Sequence, residues 1–418
     1  MSSGTETAVL EAATGTANET RGRAFASLRI ESFRWWFIAQ IVSGSGTLAQ
    51  AVAQAWLVLH ILHGGGLALG VLGAVAFAPV LLGGAWAGAH LQRVDVRRVL
   101  IATQVGMGAI AAATGVLVAA GVIRLWMVIA LALAGGCVNA FDSPARQLYV
   151  VNLVGRERVA SAVGLYEVII NASRVLGPAS GGLLLAFAGV ATCFFVNAAT
   201  CVVPLIVLLR YRPHEEATVA PKAKTRDTLR AGVAYVRRTP ELGALLAIAG
   251  ASSMIFNTGI TIPVLATHTF GLGKTGLGAL TACFGVGAIP GGVAAAYSPS
   301  SHLARRVRRL CLGSGLAVIA VAAAPVTAAA FPLVILVGFL SIWMIAAANT
   351  LAQLRPPPEL RGPVMGLWTM ALPGLMPVTS LITGALTQYV GAREGYGFAG
   401  VCLCAAALVG WRALADRP

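Results

Sequence analysis

Residues 162–186 read AVGLYEVIINASRVLGPASGGLLLA, a run of 25 residues interrupted by one acid, Glu167, and one base, Arg174. A bilayer core takes about 20 apolar residues of helix, so this run is long enough to cross it. Glu167, Asn171 and Arg174 follow one another at spacings of four and three, which sets all three on one helical face. An ionised residue at the bilayer centre costs about 2.5–3.5 kcal/mol on insertion scales, so that face is expected to look into a bundle or a water-filled cavity. Gly177, Pro178, Gly181 and Gly182 continue the run, and small residues with a proline let membrane helices pack closely and bend.

Similar runs fill the chain. Spans are expected at about 35–59, 67–89, 99–120, 125–141, 162–186 and 190–209, then 243–267, 275–296, 310–329, 331–352, 364–389 and 396–413. Of the 418 residues 57% are hydrophobic and 11% charged, whereas a soluble domain carries about 25% charged residues, which argues against a soluble enzyme. A transmembrane barrel would alternate apolar and polar residues over segments of about 10 residues, and these runs do not alternate. The expected fold is an all-α polytopic membrane protein with twelve transmembrane helices in two pseudo-symmetric six-helix bundles.

The charges give the chain a direction. With an even number of spans and both termini on one side, 26 of the 30 Lys and Arg fall on that side, and only Arg124, Lys274 and Arg393 fall opposite. The positive-inside rule makes the rich side cytoplasmic. The expected organisation is a disordered cytoplasmic tail over 1–30, a bundle over 31–210, a cytoplasmic linker over 211–240, a second bundle over 241–413 and a tail over 414–418. Gly73 and Ala74 near the start of the second span recur as Gly278 and Ala279 in the eighth, which suggests an internal repeat. The first 29 residues have no apolar stretch of the signal-peptide type, so the first span is expected to be retained.

Polar residues inside spans are the candidates for a site. Gln40, Ser43, Thr47, Gln50 and Gln54 form a stripe along one face of the first span. Such a stripe either hydrogen-bonds to neighbouring helices or lines a cavity. Asn139 lies in the fourth span with Asp142 at its end, Asn257 and Thr261 with Ser253 in the seventh, and Asn349 with Gln353 in the tenth. With Asn171 and Arg174, and leaving aside Ser253 and Asp142, these twelve residues form the expected substrate cavity. Trp35, Trp36, Trp56, Phe256, Trp343 and Trp368 add aromatic surface, and this mixture suits an amphiphilic organic molecule. Glu167 reads as the only acid well inside a span and is the candidate for proton coupling; the alternative is an ion pair that locks helices together.

Other chemistries find little support. His60 and His63 lack a third ligand nearby, so no metal site is expected, and the seven cysteines sit in apolar runs as small hydrophobes. Gly44-Ser45-Gly46 has no nearby base for nucleophilic catalysis, and no phosphate-binding loop ends in Lys and Ser or Thr. No catalytic residue, cofactor or ATP requirement is expected. The net charge of +15 is confined to loops, without interleaved aromatics, so no nucleic-acid partner is expected.

Phe33-Arg34-Trp35-Trp36-Phe37, Pro144-Ala145-Arg146-Gln147, Arg174-Val175-Leu176-Gly177-Pro178 with Gly181-Gly182, Tyr235-Val236-Arg237-Arg238-Thr239-Pro240 and Arg361-Gly362-Pro363-Val364-Met365 occur in that order. They resemble the major facilitator superfamily, and within it the bacterial exporters related to enterobactin and macrolide efflux proteins, over residues 30–412. The resemblance implies a secondary transporter working by alternating access. It marks Gly88, Arg93, Asp95, Arg97 and Arg98 as a gating loop, and Gly177, Pro178, Gly181 and Gly182 as an antiporter-like motif in which Ser173 replaces the first glycine. Gln92 stands where the family usually has an acid, so the gate is expected to be weaker or to use Asp95. The fourth-span arginine linked to proton coupling in many drug exporters has no match, since Arg124 lies at a helix end. The expected function is export of a small amphiphilic molecule, such as a drug, antibiotic, siderophore or other secondary metabolite, by a monomer in the cell membrane exchanging against protons. Alternatives are uptake of a nutrient or siderophore, or a non-transporting receptor or scaffold of this fold.

Overall fold

The computed structural model describes residues 26–91, 94–155, 158–212, 225–298 and 302–414, and their secondary structure is entirely helical. A short turn at Ala26–Arg29 leads into α1 (Glu31–Trp56), which a wider turn prolongs over Leu57–Ile61. Then follow α2 (Gly66–His90), α3 (Val96–Ala119), α4 (Leu125–Val154), α5 (Val159–Phe187) and α6 (Gly189–Arg210). After the linker helix α7 (Thr225–Arg238) come α8 (Pro240–Phe256), α9 (Thr258–Val264), α10 (Lys274–Tyr297), α11 (Leu303–Ala322), α12 (Thr327–Leu354), α13 (Pro358–Ala371), α14 (Met376–Tyr389) and α15 (Ala392–Val409). A second wide turn at Leu265–Thr269 prolongs α9 as its counterpart prolongs α1.

Among the described residues nine helical segments are long and apolar enough to cross a membrane, ten if the pair bent by 107° around Thr239 counts as one. The twelve-span reading adds α1 and α11. The first is diluted by its polar stripe, the second opens with Arg305, Arg306, Arg308 and Arg309, and both pack within the bundles as their neighbours do. Helix α1 lies along α5 and α6, α2 along α4, and α3 along α4 and α6; in the second bundle α10 lies along α12, and α11 along α12 and α15.

The two bundles meet along two seams, α2 against α14 and α5 against α10. Both are built on glycine where the helices begin or end away from the linker, here called the far end. A Cβ on Gly70 would sit 2.9 Å from the Cα of Gly384 and 2.6 Å from the Ser380 carbonyl oxygen, and one on Gly182 would sit 2.7 Å from the Cα of Gly278. Gly73 and Gly278, the pair that recurs in the sequence, each face one seam, Gly73 opposite Ser380 and Gly278 opposite Gly182. Backbones this close gain van der Waals contact that lipid cannot replace.

Burial follows the same asymmetry. One core joins the bundles at the far end, Leu57, Leu69, Leu185 and Phe194 to Ile262, Leu265, Leu277 and Tyr396, and continues through the second bundle alone to Leu245, Val307 and Leu351 at the linker end. At the linker end the first bundle has a separate core around Phe33, Trp36, Leu100, Tyr149, Leu165 and Leu208. The halves are therefore sealed together at the far end and packed individually at the linker end.

Several expected boundaries move. The fourth span was expected to end at 141, but α4 continues to Val154 through Pro144. A proline is tolerated there because neighbouring helices resatisfy the freed backbone. The seventh span breaks at Asn257 and the eleventh between Leu372 and Leu375. Of the expected tails and linker, 1–25, 213–224 and 415–418 lie outside the described residues, and 225–238 form α7. Gly182→Val is expected to lower stability by about 1–3 kcal/mol through overpacking of the seam, whereas Gly83→Ala, whose added Cβ meets nothing within 4 Å, should leave thermal unfolding in detergent unchanged.

Candidate functional site

The extension of α4 changes the reading of its charges. Asp142 and Arg146 are one turn apart on the same helix and form an ion pair, with Asp142 1% exposed. The carboxylate also accepts a hydrogen bond of 2.7 Å from the Thr103 hydroxyl and one of 3.2 Å from the Gln104 amide, both on α3. Arg146 donates to the Gln40 side-chain carbonyl on α1. A buried charge is tolerable only when paired and hydrogen-bonded, and here three helices share that task. Asp142 is therefore a buried acid within a helix, not a residue at a span's end, so Glu167 is not the only acid on a spanning helix. The Asp-x-x-x-Arg spacing carried the signal, and Pro144 between the two hid it.

The first-span stripe divides its attention. Gln40 and Ser43 are buried, Gln50 and Gln54 half-buried, and Thr47 exposed. The Asn197 amide on α6 donates to the Gln50 carbonyl at 2.7 Å, and the Thr47 hydroxyl lies 3.4 Å from the Asn197 carbonyl oxygen. Much of the stripe thus bonds to neighbouring helices of its own bundle. Asn197 is an isolated polar residue in an apolar run, and only its partners give it meaning.

Asn171 and Arg174 stand at the α5–α10 seam. Arg174 donates to the Asn171 side chain at 3.3 Å, and its guanidinium lies 5.9 Å from the centre of the Phe256 ring on α8, across the divide between bundles. Phe256 meets Phe284 of α10 edge to face at 6.2 Å. The Arg174 backbone closes against Gly285, where any Cβ would meet its carbonyl oxygen at 2.5 Å. The backbone of Glu167 belongs to α5; its side chain lies outside the described residues.

In the second bundle Asn257 occupies the break between α8 and α9. Its amide donates to the Thr379 hydroxyl at 3.1 Å, and its carbonyl accepts from Ser380 at 3.0 Å, both on α14. Ser253 reaches Thr379 at 3.2 Å, and the Thr261 hydroxyl donates to the Asn257 backbone carbonyl at 3.4 Å. These bonds tie the interrupted seventh span to the second half of the interrupted eleventh. Asn257 stands out in the sequence, whereas Thr379 and Ser380 were passed over, although Thr379, Thr383 and Thr387 recur every four residues on one helical face. Asn349 is half-buried near the end of α12, Gln353 exposed one turn later, and Asn139 half-buried one turn before Asp142. The structure does not bring these three into contact with the Asn257 cluster.

The expected gating loop is organised within the first bundle. Gly88 lies in the last turn of α2, and Arg93 lies outside the described residues. Asp95 caps α3 by accepting from the Arg97 and Arg98 amides and pairs with Arg98 at 3.4 Å. Arg97 donates to the carbonyls of Leu208 and Leu209 on α6. Asp95 thus finds these partners within the first bundle, at the start of its own helix. Gly177, Gly181 and Pro178 place α5 against α1 and α10: a Cβ on Gly181 would sit 2.7 Å from the Ala49 Cα, and Gly278 faces the Pro178 carbonyl. Among the aromatic candidates, Trp36 packs on Tyr149 with ring centres 4.9 Å apart and Trp368 is buried, while Trp56 stacks on His60 at 3.8 Å. No cluster of three metal-ligating side chains occurs among the described residues.

Two helical bundles that meet at one end around broken helices and paired glycines, with charged groups held in mid-span, define a membrane transporter of the major facilitator type. The chain belongs to the transmembrane secretion effector family of that superfamily, whose model matches residues 22–415. It is 28% identical over 349 residues to the enterobactin exporter EntS of Salmonella typhimurium strain LT2, a match covering 81% of each chain, and 27% identical over the same length to that of Escherichia coli O1:K1. Among solved structures, a bacterial homologue of the iron transporter ferroportin in an inward-facing state superposes with a TM-score of 0.69 at 16% identity, covering 93% of this chain and 99% of that one. The nucleoside transporter NupG gives 0.70 at 12% identity, covering 92% and 99%. These structures share the fold alone.

Removing one partner of a buried ion pair typically costs about 3–5 kcal/mol. Asp142→Ala should lose stability on that scale in thermal unfolding, and adding Arg146→Met should recover part of it. Asn257→Ala should cost about 1 kcal/mol by losing two interhelical hydrogen bonds.

Proposed function

We propose that this protein is a secondary transporter of the cell membrane that exports a small amphiphilic organic molecule, with siderophores the first class to test. The observation that carries this reading is the asymmetry of the halves, sealed at the far end by Gly70–Gly384 and Gly182–Gly278 and separately packed at the linker end. A carrier loading from the cytoplasm needs that arrangement, provided the linker end is cytoplasmic; the concentration of Lys and Arg on that side supports this orientation, with both termini inside. The family match and the resemblance to enterobactin exporters support the direction and the cargo class. Arg174 and Asn171 beside Phe256 and Phe284 offer a cationic and a neutral polar group next to an aromatic surface at the seam, which suits an amphiphile with an anionic or polar head.

The proposed drive is proton antiport by a monomer. A carboxylate that exchanges its partner when it binds a proton can bias two conformations. Glu167 is the first candidate from its place on the α5 face, and Asp142 is the second, since its protonation would release Arg146. The cavity residues Gln40, Ser43, Thr47, Gln50, Gln54, Asn139, Asn257, Thr261, Asn349 and Gln353 remain candidates for contact with cargo as the halves move.

The test is to express the wild type, Glu167→Gln and Asp142→Asn in efflux-deficient bacteria loaded with dyes, antibiotics and catecholate siderophores, and to quantify intracellular compound by mass spectrometry with and without a protonophore. Lower accumulation with the wild type, restored by the protonophore and by at least one variant, is the expected result. Higher accumulation would reverse the direction, and export that survives the protonophore and both variants would remove protons from the mechanism.

A further inference from the structure

Away from the seams, α11 and α15 lie side by side with unusually small separation, because Gly315 and Gly400 face one another: a Cβ on Gly400 would sit 2.7 Å from the Gly315 carbonyl oxygen. Where the two helices reach the linker end, a groove of about 530 Å³ opens on the outer surface of the bundle, lined by Leu312, Leu408, Val409, Trp411 and Arg412. Its walls change character with depth. Towards the middle of the bundle they are apolar, with Leu408 60% and Val409 86% exposed. Towards the end they carry Arg412, and Arg308 lies on the Trp411 ring beside it.

The basic rim has built geometry. The chain leaves α15 at Gly410 and turns Trp411 back over α11, where the Arg308 guanidinium lies 3.8 Å from the ring centre and donates to the Trp411 carbonyl at 3.0 Å. Arg308 Nε is buried without a hydrogen-bond partner among the described residues. Arg412 is exposed beside it, and Arg305 and Arg309 lie on the same face of α11 as Leu312 and Leu316. Four cations thus stand where an apolar surface facing the hydrocarbon gives way to the interface.

We propose that this groove is a binding site for an anionic phospholipid, with its phosphate held by Arg412 in the field of Arg305, Arg308 and Arg309 and an acyl chain lying over Leu312, Leu408 and Val409. A soluble anion would use the cations and leave the apolar wall bare, and a zwitterionic lipid would use the wall and gain little from the cations. An anionic lipid uses both. The site lies on the second bundle alone, away from the seams, so it stands whatever the cargo, direction or coupling ion.

The full-length protein, delipidated in mild detergent, would be titrated with dioleoylphosphatidylglycerol or dioleoylphosphatidylcholine and its lipid adducts counted by native mass spectrometry. One interfacial basic residue contributes about fivefold in affinity for an anionic membrane. Phosphatidylglycerol should bind several-fold more tightly than phosphatidylcholine. Arg412→Gln should weaken phosphatidylglycerol by about fivefold with unchanged thermal unfolding, Arg412→Lys should retain most of the binding, and Arg124→Gln at the opposite end should change nothing. Equal binding of the two lipids, or equal losses from Arg412→Gln and Arg124→Gln, would overturn the assignment.

Discussion

The rest of the structure depends on how closely two pairs of backbones can approach. Gly70 with Gly384, and Gly182 with Gly278, leave no room for a Cβ at either seam. Because hydrocarbon tails are as apolar as the side chains they touch, helices in a bilayer gain little from burial as such. Contact area and backbone proximity decide which faces meet. Two glycine-lined seams hold the far end shut while asking nothing of the linker end.

That constraint organises the polar groups. Each bundle has an internal knot that lets it move as a unit, Asp142 with Arg146, Gln40, Thr103 and Gln104 in the first, and Asn257 with Ser253, Thr379 and Ser380 in the second. Asn257 sits where the seventh span breaks, and its partners lie just past the break in the eleventh. Ser380 also faces Gly73 across the α2–α14 seam, so a local change in the broken helices has a direct route to the seal. On the other seam Arg174 stands one turn from Pro178 towards the linker end, opposite Gly285, bonded to Asn171 within the first bundle and facing Phe256 of the second.

Hydropathy made most of the helices legible, because about 20 apolar residues in a row have few alternatives. The seam glycines were legible in part. Gly177, Pro178, Gly181 and Gly182 stood out as a motif and Gly73 and Gly278 as a repeat, so the Gly182–Gly278 contact had both members in view, whereas Gly70 and Gly384 of the other seam were not singled out. Asp142 was misplaced because Pro144 and the charges around it look like a helix end, and only tertiary packing lets α4 run on to Val154. Asn197 is informative only once its partners on α1 are known, whereas Thr379 belongs to a stripe with Thr383 and Thr387 whose four-residue spacing carried a signal that the overall hydropathy of the eleventh span masked. The local role of Asp95 was not read from the sequence: its short carboxylate caps the otherwise unsatisfied amides at the start of α3.

The most direct test of the sealed far end is a pair of distance measurements by electron–electron double resonance on protein in lipid nanodiscs, with native cysteines replaced. One spin-label pair would sit at Val122 and Val326, both exposed at the far end, and the other at Arg98 and Arg309, both exposed at the linker end. The glycine seal predicts a narrow distribution for the far-end pair and a broader, longer-ranged one for the linker-end pair, with the two exchanging character when Gly182 is replaced by Val. A narrow linker-end distribution beside a broad far-end one in the unmodified seam would contradict it.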